Sequence, residues 1–176
     1  HKHGTNDSVD KKLKKDKPTA QSNSTHEKSN PKKQNKINTS LFPVVGIGAS
    51  AGGLDAFRTF LRAMPADSGI AFVLIQHLDP THESMMVDLL AKYTSMKVVQ
   101  IKNGMPLQPN TVFMIPPNTY LSIKNRKLKL QEPVKRRGMR MPIDFFFRSM
   151  SEDLKEQAIC IVLSGTGADG TLGLRA

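Results

Sequence analysis

The chain has 176 residues, 38% apolar and 23% charged, and carries a net charge of +11. That length holds one ordinary domain with room for a tail. The single cysteine, Cys160, excludes an internal disulfide framework and a thiolate zinc site. No apolar run approaches the ~18 residues of a membrane-spanning helix.

Residues 1–40 hold 10 of the 26 Lys and Arg and 4 of the 15 Asp and Glu, a net of +6. Their apolar residues are Val9, Leu13, Ala20 and Ile37. So few cannot bury enough surface to offset the entropy of ordering the segment, which is therefore expected to be a disordered basic tail. The lysines from Lys11 to Lys17 and from Lys32 to Lys36 suit an arm for nucleic acid or a membrane surface. No aromatic residue is interleaved for stacking on bases, and no arginine for bidentate readout, so a solvated linker is the better reading. No nucleic-acid partner and no membrane insertion are expected. The chain opens on His1 with no charged-then-apolar leader, and reads as a fragment of a cytoplasmic protein.

From Phe42 onward the pattern changes. Phe42 to Gly48 is a β-branched run ending in glycines and reads as a buried strand. Leu54, Phe57, Leu61 and Met64 recur at helical spacing. Ala71 to Gln76 is a second apolar strand. Met85, Met86, Leu89, Leu90 and Tyr93 share one helix face, with Ser84 or Thr81 as cap and the Met pair as core filling. Val98 to Ile101 and Val112 to Ile115 are further strands. Tyr120 to Ile123 and Lys127 to Leu130 alternate with period two around Asn125-Arg126, a hairpin with one wet face. Pro142 opens a helix with Ile143, Phe146, Met150 and Leu154 on its apolar stripe. Ala158 to Leu163 is a third fully apolar strand, with Cys160 a buried small hydrophobe. Gly170 to Ala176 looks like the first turns of a helix that stops within a domain.

Strands buried on both faces and separated by amphipathic helices imply an α/β fold. It is a doubly wound, mostly parallel sheet with helices on both faces and one antiparallel hairpin, occupying residues 41–176 and incomplete at its C-terminal end. In such folds ligands gather at the carboxyl ends of the strands. Three strand tips therefore decide the function.

The first tip, Gly46 to Gly53, contains Gly-x-Ser-x-Gly from Gly48 to Gly52. Between a strand and a helix this is the context of a nucleophile elbow, with Ser50 on a strained turn and its hydroxyl exposed. The same stretch nearly fits a dinucleotide loop through Gly46, Gly48 and Ala51. The second tip, Gln76 to Pro80, offers His77 as a base, or Asp79 to a ribose hydroxyl. A metal reading through His77, Asp79 and His82 matches no ligand spacing. The third tip, Ser164 to Gly170, brackets Asp169 with glycines. It is either a cap for the next helix or a carboxylate that orients an imidazole. A dinucleotide site has no need of that third group, whereas a Ser-His-Asp triad does, so together the tips favour hydrolysis without a cofactor. Backbone N–H groups of Ala51 and Thr166 are the candidate oxyanion donors. Arg136, Arg137 and Arg140, with Lys135, form a basic loop able to steer an acidic partner.

The run Phe42 to Gly53, then Gln76-His77, then Leu163 to Gly170 resembles the catalytic domain of CheB-type protein-glutamate methylesterases. Pro116-Pro117-Asn118 and Pro142-Ile143-Asp144 add to the likeness, which covers residues 42–176. The resemblance implies hydrolysis of glutamate methyl esters on chemotaxis receptors, and glutamine deamidation there, with Ser50 as nucleophile, His77 as base and Asp169 as orienting acid. It departs at Ala51, where the family has Thr, and residues 1–40 cannot be the receiver domain common in the family. The wording Gln76-His77-Leu78-Asp79-Pro80 is closest to members fused to a receptor methyltransferase. The competing readings are a dinucleotide-binding Rossmann-like domain and a catalytically inactive interaction module.

Overall fold

The computed structural model describes residues 41–50, 53–76, 83–133, 141–164 and 168–176. The basic tail, the stretch holding Asp79 and His82, and the loop holding Arg136, Arg137 and Arg140 lie outside them. Seven strands and three helices follow in chain order: β1 (Val44–Ala49), α1 (Leu54–Ala63), β2 (Ala71–Gln76), α2 (Glu83–Ala91), β3 (Lys97–Gln100), β4 (Thr111–Met114), β5 (Tyr120–Lys124), β6 (Lys127–Gln131), α3 (Pro142–Leu154) and β7 (Ala158–Ser164). A single 3-10 turn, Gly173–Arg175, follows β7.

Five strands form one sheet in the order β3-β4-β2-β1-β7, and every neighbouring pair is parallel. β1, β2 and β4 are buried throughout, which is why they read as unbroken apolar runs rather than alternating ones. On one face, Val45, Ile47 and Ala49 of β1 join Phe72 and Leu74 of β2 against Phe57 and Leu61 of α1 and Met86 and Leu90 of α2. On the other, Val44, Val73 and Ile75 meet Ile143, Phe146, Phe147, Met150 and Leu154 of α3, with the hairpin residues Leu121, Ile123 and Leu128. Helices thus cover both faces, as the alternation of strands and helices requires. Among the described residues, no helix is long and apolar enough to cross a membrane.

The contact of α3 with β1 depends on absent side chains. A Cβ at Gly46 would stand 2.5 Å from Met150 Sδ, and one at Gly48 would stand 2.5 Å from Ile143 Cγ2. Both glycines therefore let the helix settle onto the strand, and both lie inside β1 rather than in the turn after it.

Two expectations are corrected by the packing. Among the described residues β7 is the outermost strand and is not buried on both faces, with Ile159 and Val162 43% and 38% exposed and Cys160 only partly buried. Periodicity cannot tell an edge strand from a central one when both are apolar. In α2, Met86 is core but Met85 is 66% exposed, because successive helical residues point about 100° apart. That helix is described over Glu83–Ala91, so Ser84 lies within it rather than capping it and Tyr93 lies beyond it, while Thr81 is outside the described residues.

Burial still affects Cys160, whose thiol is pushed up to about 11 by desolvation. The thiolate is the reactive form, so iodoacetamide at pH 8 is expected to alkylate Cys160 one to two orders of magnitude more slowly than a free cysteine. The rate should climb about tenfold per pH unit until the thiol titrates, which mass spectrometry of timed samples would follow.

The hairpin β5–β6 closes through Asn125 and Arg126, both at positive φ (52° and 57°), the geometry of a type I′ turn. Asp153 of α3 accepts hydrogen bonds from both turn amides, at 2.6 Å from Asn125 N and 2.9 Å from Arg126 N. The Arg126 guanidinium continues the tie, donating to Gln157 Oε1 and the Phe42 carbonyl and standing 4.2 Å from the Phe42 ring centre. Burial lowers the Arg126 pKa, and Asp153 opposes the shift. Asp153→Ala leaves two turn amides without their acceptor and is expected to cost about 1–2 kcal/mol in urea denaturation.

Candidate functional site at the carboxyl edge of the sheet

The chain runs from β1 to its neighbour β2, on to the outer strand β3 and back to β4 between them, then crosses to the other side of β1 for β7. The strand order reverses between β1 and β7, and this is where open α/β sheets place their ligands. Ser50 follows β1 directly, His77 follows the last residue of β2, and Asp169 stands in the segment after β7. Register brings the tips level, since Ala49 pairs with Gln76 on one side and with Ser164 on the other, across a bulge at Gly48/Ala49. The shift skips Leu163 on β7, so that Ser164 is the residue level with Ala49.

The backbone of Ser50 is held from two directions. Its carbonyl accepts the Gly53 N–H at 2.8 Å, closing a four-residue turn, and the Gln76 side-chain amide at 3.3 Å. Gln76 is 6% exposed, at the end of β2. Sequence reasoning passed over it, although a polar residue ending an unbroken apolar strand beside His77 was a usable signal. Ser50 itself is half-buried, and it is not among the residues at positive φ. The turn that would make the expected elbow, at Ala51 and Gly52, lies outside the described residues.

Asp169 caps a helix, but α3 rather than the one expected to follow it. Its Oδ2 accepts the Ile143 N–H at 3.1 Å and its Oδ1 the Asp144 N–H at 2.9 Å. Met141, the residue before α3, offers no side-chain cap, and Pro142 has no N–H. A carboxylate from 25 residues downstream thus supplies the cap and sits at the positive end of the helix dipole. This fixes the Asp169 carboxyl plane on the same edge of the sheet as Ser50. The remaining candidates, His77 and the oxyanion donors Ala51 and Thr166, lie outside the described residues.

The dinucleotide reading loses its glycines. A pyrophosphate needs Gly46 and Gly48 in the turn, whereas both are strand residues whose open side is filled by Met150 and Ile143.

Fold and edge together define a doubly wound α/β protein with a serine and a helix-capping carboxylate at its switch point. A family model described as CheB methylesterase matches residues 45–176, and the chain belongs to the CheB methylesterase family. It is 37% identical over 135 residues to a protein-glutamate methylesterase/protein-glutamine glutaminase 2 of Burkholderia lata, 76% of this chain and 40% of that protein. It is 46% identical over 91 residues to an uncharacterized 104.1 kDa protein of Rhodobacter capsulatus, 52% of this chain and 10% of that protein. The crystal structure of the Thermotoga maritima CheB methylesterase catalytic domain shares the fold with a TM-score of 0.67 at 26% identity, covering 75% of this chain and 72% of that one. The chain thus spans two-fifths or less of the length of these two curated relatives.

Proposed function

We propose that this domain is a protein-glutamate methylesterase that works through Ser50, His77 and Asp169. The observation that carries the reading is the sheet order: β2, β1 and β7 are adjacent and parallel, and each leads into one member of the set. Membership of the CheB methylesterase family supports it.

In this reading His77 takes the proton from the Ser50 hydroxyl as Oγ attacks the side-chain carbonyl of a methylated glutamate. The tetrahedral oxyanion is held by backbone N–H groups at Ala51 and Thr166, and one such donor is worth about 3 kcal/mol. His77 returns its proton to the departing methoxide, and methanol leaves an acyl-serine. Water deprotonated by His77 then releases the glutamate and restores Ser50. Asp169 keeps the imidazole oriented and stabilises its cation. The same steps on a glutamine side chain release ammonia in place of methanol, which is deamidation.

The substrate is a methylated, acidic segment of a signalling protein of the chemotaxis-receptor kind, met in the cytoplasm, and the loop holding Arg136, Arg137 and Arg140 steers it. Steering by exposed charge is screened by salt, so affinity for a methylated receptor is expected to fall as ionic strength rises from 0.05 to about 0.5 M. Replacing all three arginines with Ala should flatten that dependence in titrations across the same salt series.

A fluorophosphonate probe followed by peptide mass spectrometry tests the reading directly. It is expected to label Ser50, and titration with NAD should give no binding signal. An unlabelled Ser50 would make the domain an interaction module, and saturable NAD binding would return it to the dinucleotide class.

A further inference from the structure

Asp144 sits in the first turn of α3, 4% exposed, and no chemistry above uses it. Its Oδ1 accepts the Gly173 N–H at 2.6 Å, while its Oδ2 is buried with no hydrogen-bond partner among the described residues. A buried carboxylate with one oxygen unpaired is a costly means of holding a single amide. What it holds is the segment that carries Asp169. Asp169, four residues before Gly173, in turn accepts the N–H groups of Ile143 and Asp144. The two aspartates thus form a reciprocal clasp between the start of α3 and the chain after β7.

Gly173 shows how closely the two segments are pressed together. A Cβ there would stand 2.8 Å from Phe147 Cβ and 3.0 Å from Asp144 Cα, so the residue presents its N–H to Asp144 at a distance no side chain would allow.

We propose that Asp144 is a positioning residue for the reaction: by holding Gly173 it keeps the Asp169 carboxylate docked on the N-terminus of α3, where Asp169 can orient the base. This rests on the role assigned to Asp169 above. The amides of Ile143 and Asp144 hold the Asp169 carboxylate, and the Asp144 bond to Gly173 ties down the same segment four residues further on. A displacement of about 1 Å in an orienting group can cost on the order of 100-fold in rate.

The test compares Asp144→Ala with Asp144→Asn by amide hydrogen exchange and by kinetics. In Asp144→Ala, the Ile143 amide, bonded to Asp169 and not to Asp144, is expected to exchange at least about tenfold faster. The kcat should fall about 10- to 100-fold at unchanged KM. Asp144→Asn keeps an oxygen acceptor for Gly173 and should leave both quantities within about threefold of wild type. An Ile143 amide as protected in Asp144→Ala as in wild type overturns the proposal, even if the Gly173 amide is exposed. So does a faster Ile143 amide with unchanged kcat, or an Asn variant as impaired as the Ala one. Should Asp144→Ala fail to fold, Gly173→Ala decides on the same two readouts, because its Cβ forces the segment off α3 while Asp144 stays in place. Loss of ester hydrolysis in the wild type would refute the proposed function instead, and the exchange data would still report on the clasp.

Discussion

Ser50→Ala is expected to lower methanol release from a glutamate methyl ester by about 10⁴- to 10⁶-fold, the range found when a serine hydrolase loses its nucleophile. It should do so without disturbing the fold. The structural contacts of Ser50 run through its carbonyl, which accepts the Gly53 N–H and the Gln76 amide, and alanine retains that carbonyl. The half-buried side chain leaves no large cavity when one oxygen is removed. The unfolding free energy from urea denaturation is therefore expected to stay within about 0.5 kcal/mol of wild type. Methanol assays and denaturation on the same preparation check both halves, and wild-type turnover in the variant would refute Ser50 as the nucleophile.

Asp169 should give the complementary result, because it caps α3 and the proposed mechanism also gives it a catalytic load. Asp169→Ala removes the acceptor of two amides at the start of α3, and the loss of such a cap is expected to cost about 1–2 kcal/mol. In the proposed mechanism it also removes the carboxylate that would orient His77, for an expected rate loss of about 10⁴-fold. Asp169→Asn separates the two loads. Its remaining oxygen can accept one of the amides, so part of the stability returns. An amide cannot stabilise an imidazolium as a carboxylate does, so the rate should stay low. Equal recovery of stability and rate in the Asn variant would leave Asp169 a helix cap and nothing more.

Much of this was legible in the residues. The runs Val44 to Ala49, Ala71 to Gln76 and Thr111 to Met114 are largely apolar without alternation, as suits a strand covered on both faces, and each is buried throughout. Asn125-Arg126 between alternating runs announced the hairpin, and Pro142 announced the start of α3. Ser50 and Asp169 could be picked out because strand ends in a parallel sheet are where a polar group is presented. Other features were hidden because they arise between distant parts of the chain. β7 and β2 are equally apolar as strings, and only the order of strands makes one an edge. Gly46 and Gly48 fit a phosphate loop as letters, and only the approach of Met150 and Ile143 shows them to be packing positions. Asp144 reads as an ordinary acidic residue near a helix start, since its partner Gly173 lies 29 residues away.

The sequence by itself determined the strand and helix types, the α/β class and the three tips worth examining, because hydrophobic period and turn chemistry are local properties. Tertiary structure alone decided that the strands leading into those tips are neighbours, that Asp169 caps α3 rather than a later helix, and that β1 uses its glycines for packing. Each of these depends on which surfaces meet, and close packing is settled by the shapes of residues far apart in the chain.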